Sequence, residues 1–396
     1  MPGFEIFGEE ERKQVQDVLD NGVLMRYGFD GNRNGHYKAL ELEKALANKM
    51  GVTYAQAVSS GTSALTVALA SAGVGFGDEV IMPTFTFVAS FESILSIGAI
   101  PVLCDIDDTL TLNPQAVEKA ITSKTKVVMP VHMCGSMADL SALKAICNKH
   151  NLILLEDACQ AIGGFYDGKA LGSYGDLGCF SFDYVKTVTC GEGGAVITNN
   201  ESYAKNADKY QDHGHDHIGN DRGAESHPFL GYNYRISELN AAVGIAQLGK
   251  LEDTVATQKK NYTILREALS EIPEVSFRRV PEGGIESYAF LNFFMPTEEL
   301  ARKTASALKE NGVDACFYWF DNNWHYYRKW EHLMQAKSLA KFSPEIIDAL
   351  QKNNRSFPDS DEWMGRTISC LIKLSWTEEE TQLRAQKMVE AVKTVI

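Results

Sequence analysis

The sequence predicts an α/β protein: a large domain on a mostly parallel mixed sheet, followed by a smaller α+β C-terminal domain. Three observations carry this reading. From Val52 to about Asn199, short apolar runs alternate with windows of helical periodicity, the pattern of strands joined by crossover helices. Ser60, Asp157 and Lys186 fall just beyond the ends of such runs, where sheets of this kind hold their ligands. After residue 251 the alternation gives way to a charged helix and a mixed pattern, which divides the chain into 1–251 and 252–396. With 396 residues, 44% of them apolar, there is material for two cores.

Taken in order, residues 1–24 read as an arm and a helix opened by Gly8-Glu9-Glu10-Glu11, with Val15, Val18 and Leu19 as its apolar stripe. Residues 26–36 are polar and Gly-rich and form a loop, and a helix over 37–50 presents Leu40, Leu42, Leu46 and Met50. Strands are expected at 54–58, 79–82, 101–104, 126–131, 152–156 and 177–182. Helices are expected between them at 62–72, 87–98, 114–122 and 137–150. A helix over 237–251 closes the large domain, with Glu238 in the first turn where the helix dipole favours an acid. Beyond the charged connecting helix at 252–275, residues 278–281 and 287–295 read as strands, and 298–311 and 377–395 as helices. There is no internal repeat and no low-complexity tract.

The charge balance narrows the partners. Thirty-eight Lys+Arg against 52 Asp+Glu leave a net −14, without a basic block. Nucleic acid and anionic membrane surfaces require clustered cations, so neither is an expected partner. The opening MPGFEIFGEEERK lacks an apolar signal core, and no stretch is long enough to span a bilayer. Eight cysteines are scattered with no C-x-x-C pair, and five lie in or beside apolar runs as small core residues. The expected home is the reducing cytoplasm.

The chemistry concentrates in residues 154–161, LLEDACQA, and 181–196, SFDYVKTVTCGEGGAV. One apolar run delivers Glu156 and Asp157 at its end; another is followed by Lys186 in a loop that leads into Gly191-Glu192-Gly193-Gly194. A carboxylate at one strand end and an amine just past another suit pyridoxal 5'-phosphate (PLP), whose aldehyde condenses with a lysine and whose ring nitrogen pairs with an Asp. The lysine reacts only as a neutral amine, and once displaced it is free to act as general base and acid. Taken singly, a loop lysine is usually solvated and a strand-end Asp is often a helix cap or ion-pair partner. The ordered set, with Ser181 five residues before the lysine, weighs against those readings.

This order continues through Ser60-Gly61-Thr62-Ser63-Ala64-Leu65, Pro83-Thr84-Phe85-Thr86-Phe87 and Gly231-Tyr232-Asn233-Tyr234-Arg235. It resembles the sugar aminotransferase family related to DegT, DnrJ, EryC1 and StrS, among the fold-type I PLP enzymes. The likeness is strong over 20–250 and weak beyond. It implies a fold-type I PLP-dependent transferase that takes an amino group from an amino acid, L-glutamate leaving as 2-oxoglutarate, and gives it to an oxidised sugar. By the same resemblance Lys186 and Asp157 are catalytic, and Gly61, Thr62, Ser63 and Ser181 hold the cofactor phosphate. Phe87 stacks on the ring, Ala158 lies under it, and Gln160 bonds its phenolic oxygen. Asn233 reaches the phosphate in a neighbouring subunit, which implies a homodimer with shared active sites. Plainer roles stand beside these: an N-cap for Thr62 or Ser63, core packing for Phe87, a turn for Asn233.

Residues 316–325, CFYWFDNNWH, depart from the family, which usually carries a shorter, less aromatic stretch, often of the Tyr-His-Pro type. The departure implies an unusual acceptor rather than the common nucleotide-linked 4-ketohexose, which stays open as the alternative. A PLP-dependent sugar dehydratase on the same scaffold carries His where this chain has Lys186. A catalytically silent PLP-binding protein is disfavoured by the joint presence of Asp157, Gln160, Ser181 and Lys186. Two other patterns mislead. Gly73-Val74-Gly75-Phe76-Gly77 follows a helix and precedes a strand, the reverse of the order a dinucleotide loop needs. Asp212-His213-Gly214-His215-Asp216-His217 matches no strong zinc spacing, so no metal is expected; substrate contact and a solvated loop stay open.

Overall fold

The computed structural model describes residues 3–219 and 221–396. A seven-stranded sheet runs in the spatial order Tyr54–Val58, Gly194–Thr198, Leu177–Ser181, Ile153–Asp157, Thr125–Val128, Glu79–Pro83, Ile100–Cys104. Strand Gly194–Thr198 is antiparallel to both neighbours, and the remaining pairings are parallel. Helices cover the sheet, so the inner strands are buried on both faces and read as unbroken apolar runs. All six strands expected in this region are present to within a few residues, while Gly194–Thr198 is a seventh that periodicity did not reveal.

That seventh strand draws three strand ends together. It returns antiparallel from the Lys186 loop, and its first residue, Gly194, lies opposite both Val58 and Ser181. The ends of strands 54–58, 153–157 and 177–181 therefore meet at one edge. A Cβ at Gly194 would stand 2.4 Å from the Ser60 carbonyl oxygen, so only glycine permits this approach.

The N-terminal helix is Glu9–Asn21, and the Glu11 side chain accepts from the Gly8 N–H at 2.7 Å. Its stripe is narrower than expected: Val18 is buried but Leu19 is exposed. Helix Lys38–Met50 buries Leu42, Leu46 and Met50 as expected. The Gly73–Gly77 stretch is the turn between helix Gly61–Ser71 and strand Glu79–Pro83, with Gly73 and Gly77 at φ +77° and +84°.

A second, four-stranded antiparallel sheet runs Ser276–Phe277, Phe290–Phe294, Thr367–Leu371, Cys316–Phe317. Leu265, Leu308 and Met388, from helices Leu251–Ser270, Glu298–Glu310 and Glu378–Lys393, pack with Leu291 and Ile368 of this sheet in one core. The strand expected at 278–281 is absent. Buried Arg278 is instead committed to the carbonyls of Thr109 and Met133, at 3.2 and 2.9 Å, and Arg279 bonds Asp108. Satisfying a buried guanidinium takes precedence over pairing that backbone.

The intervening segment does not stay with the small sheet. Tyr326, Trp330, Leu350 and Phe357 join the core that Phe85, Phe91 and Leu103 form on the main sheet. Asn353, ending helix Pro344–Asn353, accepts from the Leu103 N–H at 3.0 Å and donates to the Pro101 carbonyl at 2.6 Å. It thereby covers the open edge of strand Ile100–Cys104, which would otherwise present unpaired backbone.

Candidate active site

A cavity of about 370 Å³ opens at the edge where the strand ends converge. Gly61, Thr62, Phe87, Asp157, Gln160, Ser181 and Lys186 all line it. Three expected residues do not. Ser63 spends its hydroxyl and N–H on Ser60, in a reciprocal cap at 2.8 and 3.0 Å, so Ser60 is the N-cap of helix Gly61–Ser71. Ala158 is buried behind the surface and Cys159 lines the cavity in its stead, because the chain leaves the sheet after Asp157 and turns. Asn233 is exposed outside this protomer's cavity, where its Oδ1 accepts from the Arg235 N–H.

The pleat decides which strand-end carboxylate serves the cavity. Glu156 points to the opposite face and accepts from the N–H groups of Gly172, Tyr174 and Gly175 at 2.7–2.9 Å, and from His132. Asp157 faces the cavity and is 3% exposed. Ser90 Oγ donates to its Oδ2 at 2.8 Å, and the Cys159 N–H donates to its Oδ1 at 3.1 Å. Thr86 lies 2.6 Å from Ser90 and continues the chain of hydroxyls. Neither Ser90 nor Thr86 was expected from the sequence; Ser90 precedes Asp157 by 67 residues and carries no motif of its own.

Gln160 is oriented by its surroundings. The Cys134 N–H donates to Gln160 Oε1 at 3.0 Å, so the amide oxygen is fixed inward and the NH₂ group is left to donate into the cavity. Lys186 sits in a tight loop closed by Phe182 N–H to Gly193 and Cys190 N–H to Phe182, at 2.8 and 2.9 Å. The N-terminal arm packs on this loop: the Gly3 N–H donates to the Lys186 carbonyl at 2.9 Å, and Phe4 stacks on Tyr184. Among the described residues, Lys186 Nζ has neither a hydrogen-bond nor an ion-pair partner.

At the start of helix Gly61–Ser71 the N–H groups of Gly61 and Thr62 have no acceptor among the described residues. Helix dipole and free donors together make this end an anion site, completed by the Ser181 hydroxyl. A Cβ on Gly61 would stand 2.6 Å from Ser181 Cβ, so glycine is what lets the helix come this close.

The opposite wall comes from the aromatic segment. Thr86 N–H donates to the His325 carbonyl at 3.0 Å and Val88 N–H to that of Trp324 at 2.8 Å, clamping residues 324–326 across the turn that carries Phe87. Phe87 stacks on Trp324 with centroids 5.6 Å apart and lies 5.4 Å from His325. Burial, and then the nearby charge of Lys186, push the His325 imidazole down to about 3, so it is neutral in ordinary buffers.

The cluster at 212–217 has a different use. Buried Asp212 is the hub: His217 reaches it at 2.9 Å, Arg222 at 2.8 Å and Arg235 at 2.5 Å. His217 also bonds Asp208 at 2.8 Å, and these two carboxylates outweigh the opposing effect of burial, raising it to about 9. The network adjoins Asn233, which pairs with Asp212 in an isolated antiparallel bridge.

An anion cradle, a buried carboxylate with two donors, an amide NH₂ and an unpartnered lysine around one cavity fit the phosphate, ring nitrogen, phenolic oxygen and aldehyde of PLP. Fold and site together define a fold-type I PLP-dependent enzyme. The DegT/DnrJ/EryC1/StrS aminotransferase family model matches residues 5–388, and the chain belongs to that family. It is a PLP-dependent sugar aminotransferase. It is 34% identical to GDP-perosamine synthase of Vibrio cholerae over 303 residues, 76% of this chain and 79% of that one. An aminotransferase from Psychrobacter cryohalolentis superposes with a TM-score of 0.84 at 26% identity, over 98% of both chains. The structure of 3-amino-5-hydroxybenzoic acid synthase does so at 0.81 and 30% identity, over 98% of this chain and 97% of that one.

Proposed function

We propose that this enzyme moves an amino group from L-glutamate to C8 of 8-oxo-3-deoxy-manno-octulosonate, forming 2-oxoglutarate and the 8-amino sugar used in lipopolysaccharide. The observation that carries the acceptor half of this reading is the 316–325 segment, whose Trp324 and His325 wall the cavity where a family member would meet its sugar. GDP-perosamine synthase, a relative named for a GDP-linked sugar, keeps a nucleotide-linked 4-ketohexose as the second reading.

Bound PLP supplies an aldehyde carbon and an electron-withdrawing ring. The chain supplies the rest. Gly61 and Thr62 N–H groups and the Ser181 hydroxyl would hold its phosphate, and Phe87 would pack against the ring. Asp157, oriented by Ser90, would keep a proton on the ring nitrogen, and Gln160, whose amide oxygen is held by Cys134, would donate to the phenolic oxygen. Lys186 Nζ takes the proton from the α-carbon of glutamate and in the second half-reaction returns one to the sugar carbon that receives nitrogen. Asn233 acts in the partner's site of a homodimer. Close to it in the chain, Leu230 and Tyr232 expose apolar surface, which a second copy would cover.

The test has two parts. Borohydride treatment of the holoenzyme is expected to fix the cofactor to Lys186, and peptide mapping that finds it elsewhere, or nowhere, removes Lys186 from its role. Protein converted by glutamate to the aminated cofactor form is then offered the oxo-octulosonate and GDP-4-keto-6-deoxymannose, with the return of the aldehyde-form absorbance as readout. Return with the GDP sugar alone replaces the octulosonate by the second reading.

A further inference from the structure

The cavity wall holds a side chain whose hydrogen-bonding state is settled by its neighbours. Asn322 Oδ1 accepts from the Trp324 N–H at 2.9 Å, which identifies that atom as the amide oxygen. The same oxygen lies 2.9 Å from His325 Nδ1. An oxygen acceptor requires a donor opposite it, so the imidazole proton is on Nδ1 and Nε2 carries a lone pair. The ring cannot easily turn to reverse this: it is held between Trp319, centroids 4.4 Å apart, and Phe87 at 5.4 Å. Nε2 has no hydrogen bond among the described residues and is not sealed in the core, and the ring lines the cavity. With the imidazole held neutral by burial and by the charge of Lys186, Nε2 is an obligate acceptor. It welcomes a hydroxyl and discriminates against a carboxylate, phosphate or carbonyl oxygen, which would meet it lone pair to lone pair.

We propose that His325 is a specificity-determining residue that accepts a hydrogen bond from the hydroxyl on the carbon next to the carbonyl of the acceptor sugar. The position follows from the shared cavity: His325 and Lys186 both line it, with the imidazole beside Phe87, so a sugar whose carbonyl carbon meets Lys186 turns its neighbouring carbon toward the ring. This inference rests on the proposed transfer to an oxidised sugar and names which part of that sugar is read.

The test uses two minimal acceptors, D-glyceraldehyde, which carries the adjacent hydroxyl, and 3-hydroxypropanal, which lacks it, beside 8-oxo-3-deoxy-manno-octulosonate. Glutamate-converted holoenzyme is mixed with each, and the apparent second-order rate is read from the cofactor spectrum. The native protein is expected to prefer glyceraldehyde about tenfold, the scale of one hydrogen bond in a site built for it. His325→Phe keeps an aromatic ring against Trp319 and Phe87 and is expected to lose the preference. Asn322→Ala, which releases the ring without removing it, is expected to reduce it. A native protein that treats the fragments alike overturns the inference. So does a His325→Phe protein that keeps the preference or loses both fragments in equal measure; should that variant not fold, an Asn322→Ala protein with the native preference does the same. A glutamate-converted protein that reacts with neither fragment nor the octulosonate overturns the proposed function instead.

Discussion

Ser90→Ala isolates the contact that holds Asp157 in place. The variant removes one oxygen and leaves no void of consequence, so packing is nearly conserved. What is lost is the 2.8 Å donation to Asp157 Oδ2, while the Cys159 N–H at 3.1 Å remains on Oδ1. A hydrogen bond to a buried charge contributes ~1.5–3 kcal/mol. Because one donor stays and Thr86 can turn toward the Phe87 carbonyl, 3.3 Å from its hydroxyl, the lower half of that range applies. At about 1.4 kcal/mol per decade, the glutamate half-reaction is expected to slow ~10- to 40-fold. Stopped-flow absorbance of the cofactor measures this, with the dissociation constant of PLP and the thermal midpoint as companions. The expected pattern is a slower half-reaction, a PLP affinity within a few-fold of native, and a midpoint shifted by only a few degrees. A rate within twofold of native at full cofactor occupancy would refute the reasoning, since the Ser90 contact would then contribute nothing to how Asp157 works.

Three further outcomes rest on the same geometry. Gly61→Ala places a Cβ 2.6 Å from that of Ser181, so despite the better helix propensity of alanine, overpacking of ~1–3 kcal/mol should weaken PLP binding about tenfold; unchanged affinity by titration would show that the helix end gives way harmlessly. If Asn233 serves the partner's site, Lys186→Ala and Asn233→Asp should each be nearly inactive alone. Co-expression should then restore about a quarter of the sites, because random pairing makes half the dimers mixed and each mixed dimer has one intact site; inactivity of demonstrably mixed dimers counts against sharing. Finally, His217 is raised to about 9 from an ordinary 6.5, so its contribution to stability is complete below pH 6.5, declines as pH rises toward 9 and is gone above it. Thermal midpoints of native protein and His217→Gln should therefore differ most near pH 6 and converge near pH 10, and parallel curves would show that the charge on His217 does not support the loop.

The strands of the main sheet were legible because burial on both faces demands continuous apolar runs, and the polar residues at their ends stood out against them. Seven lining residues of the cavity and the family itself were readable on that basis, since Gly61, Asp157, Gln160, Ser181 and Lys186 belong to compact local motifs. What was not legible depends on register and on distant partners. Local sequence offers Glu156 and Asp157 as equals, and only the placement of the sheet faces sends one to the cavity and the other into a nest of backbone N–H groups. The expected strand at 278–281 failed because Arg278 finds carbonyls 145 and 169 residues away, which no window around it reveals. Cys159 rather than Ala158 reaches the cavity through the angle of one turn. His325 was visible as part of an odd segment, but its lone pair has meaning only where Asn322, Trp319, Phe87 and Lys186 surround it. The sequence by itself determined which elements form and which chemistry they carry, because periodicity and motif order are local. Tertiary structure decided which atoms face one another, because direction, pleat and register are properties of the assembled sheet.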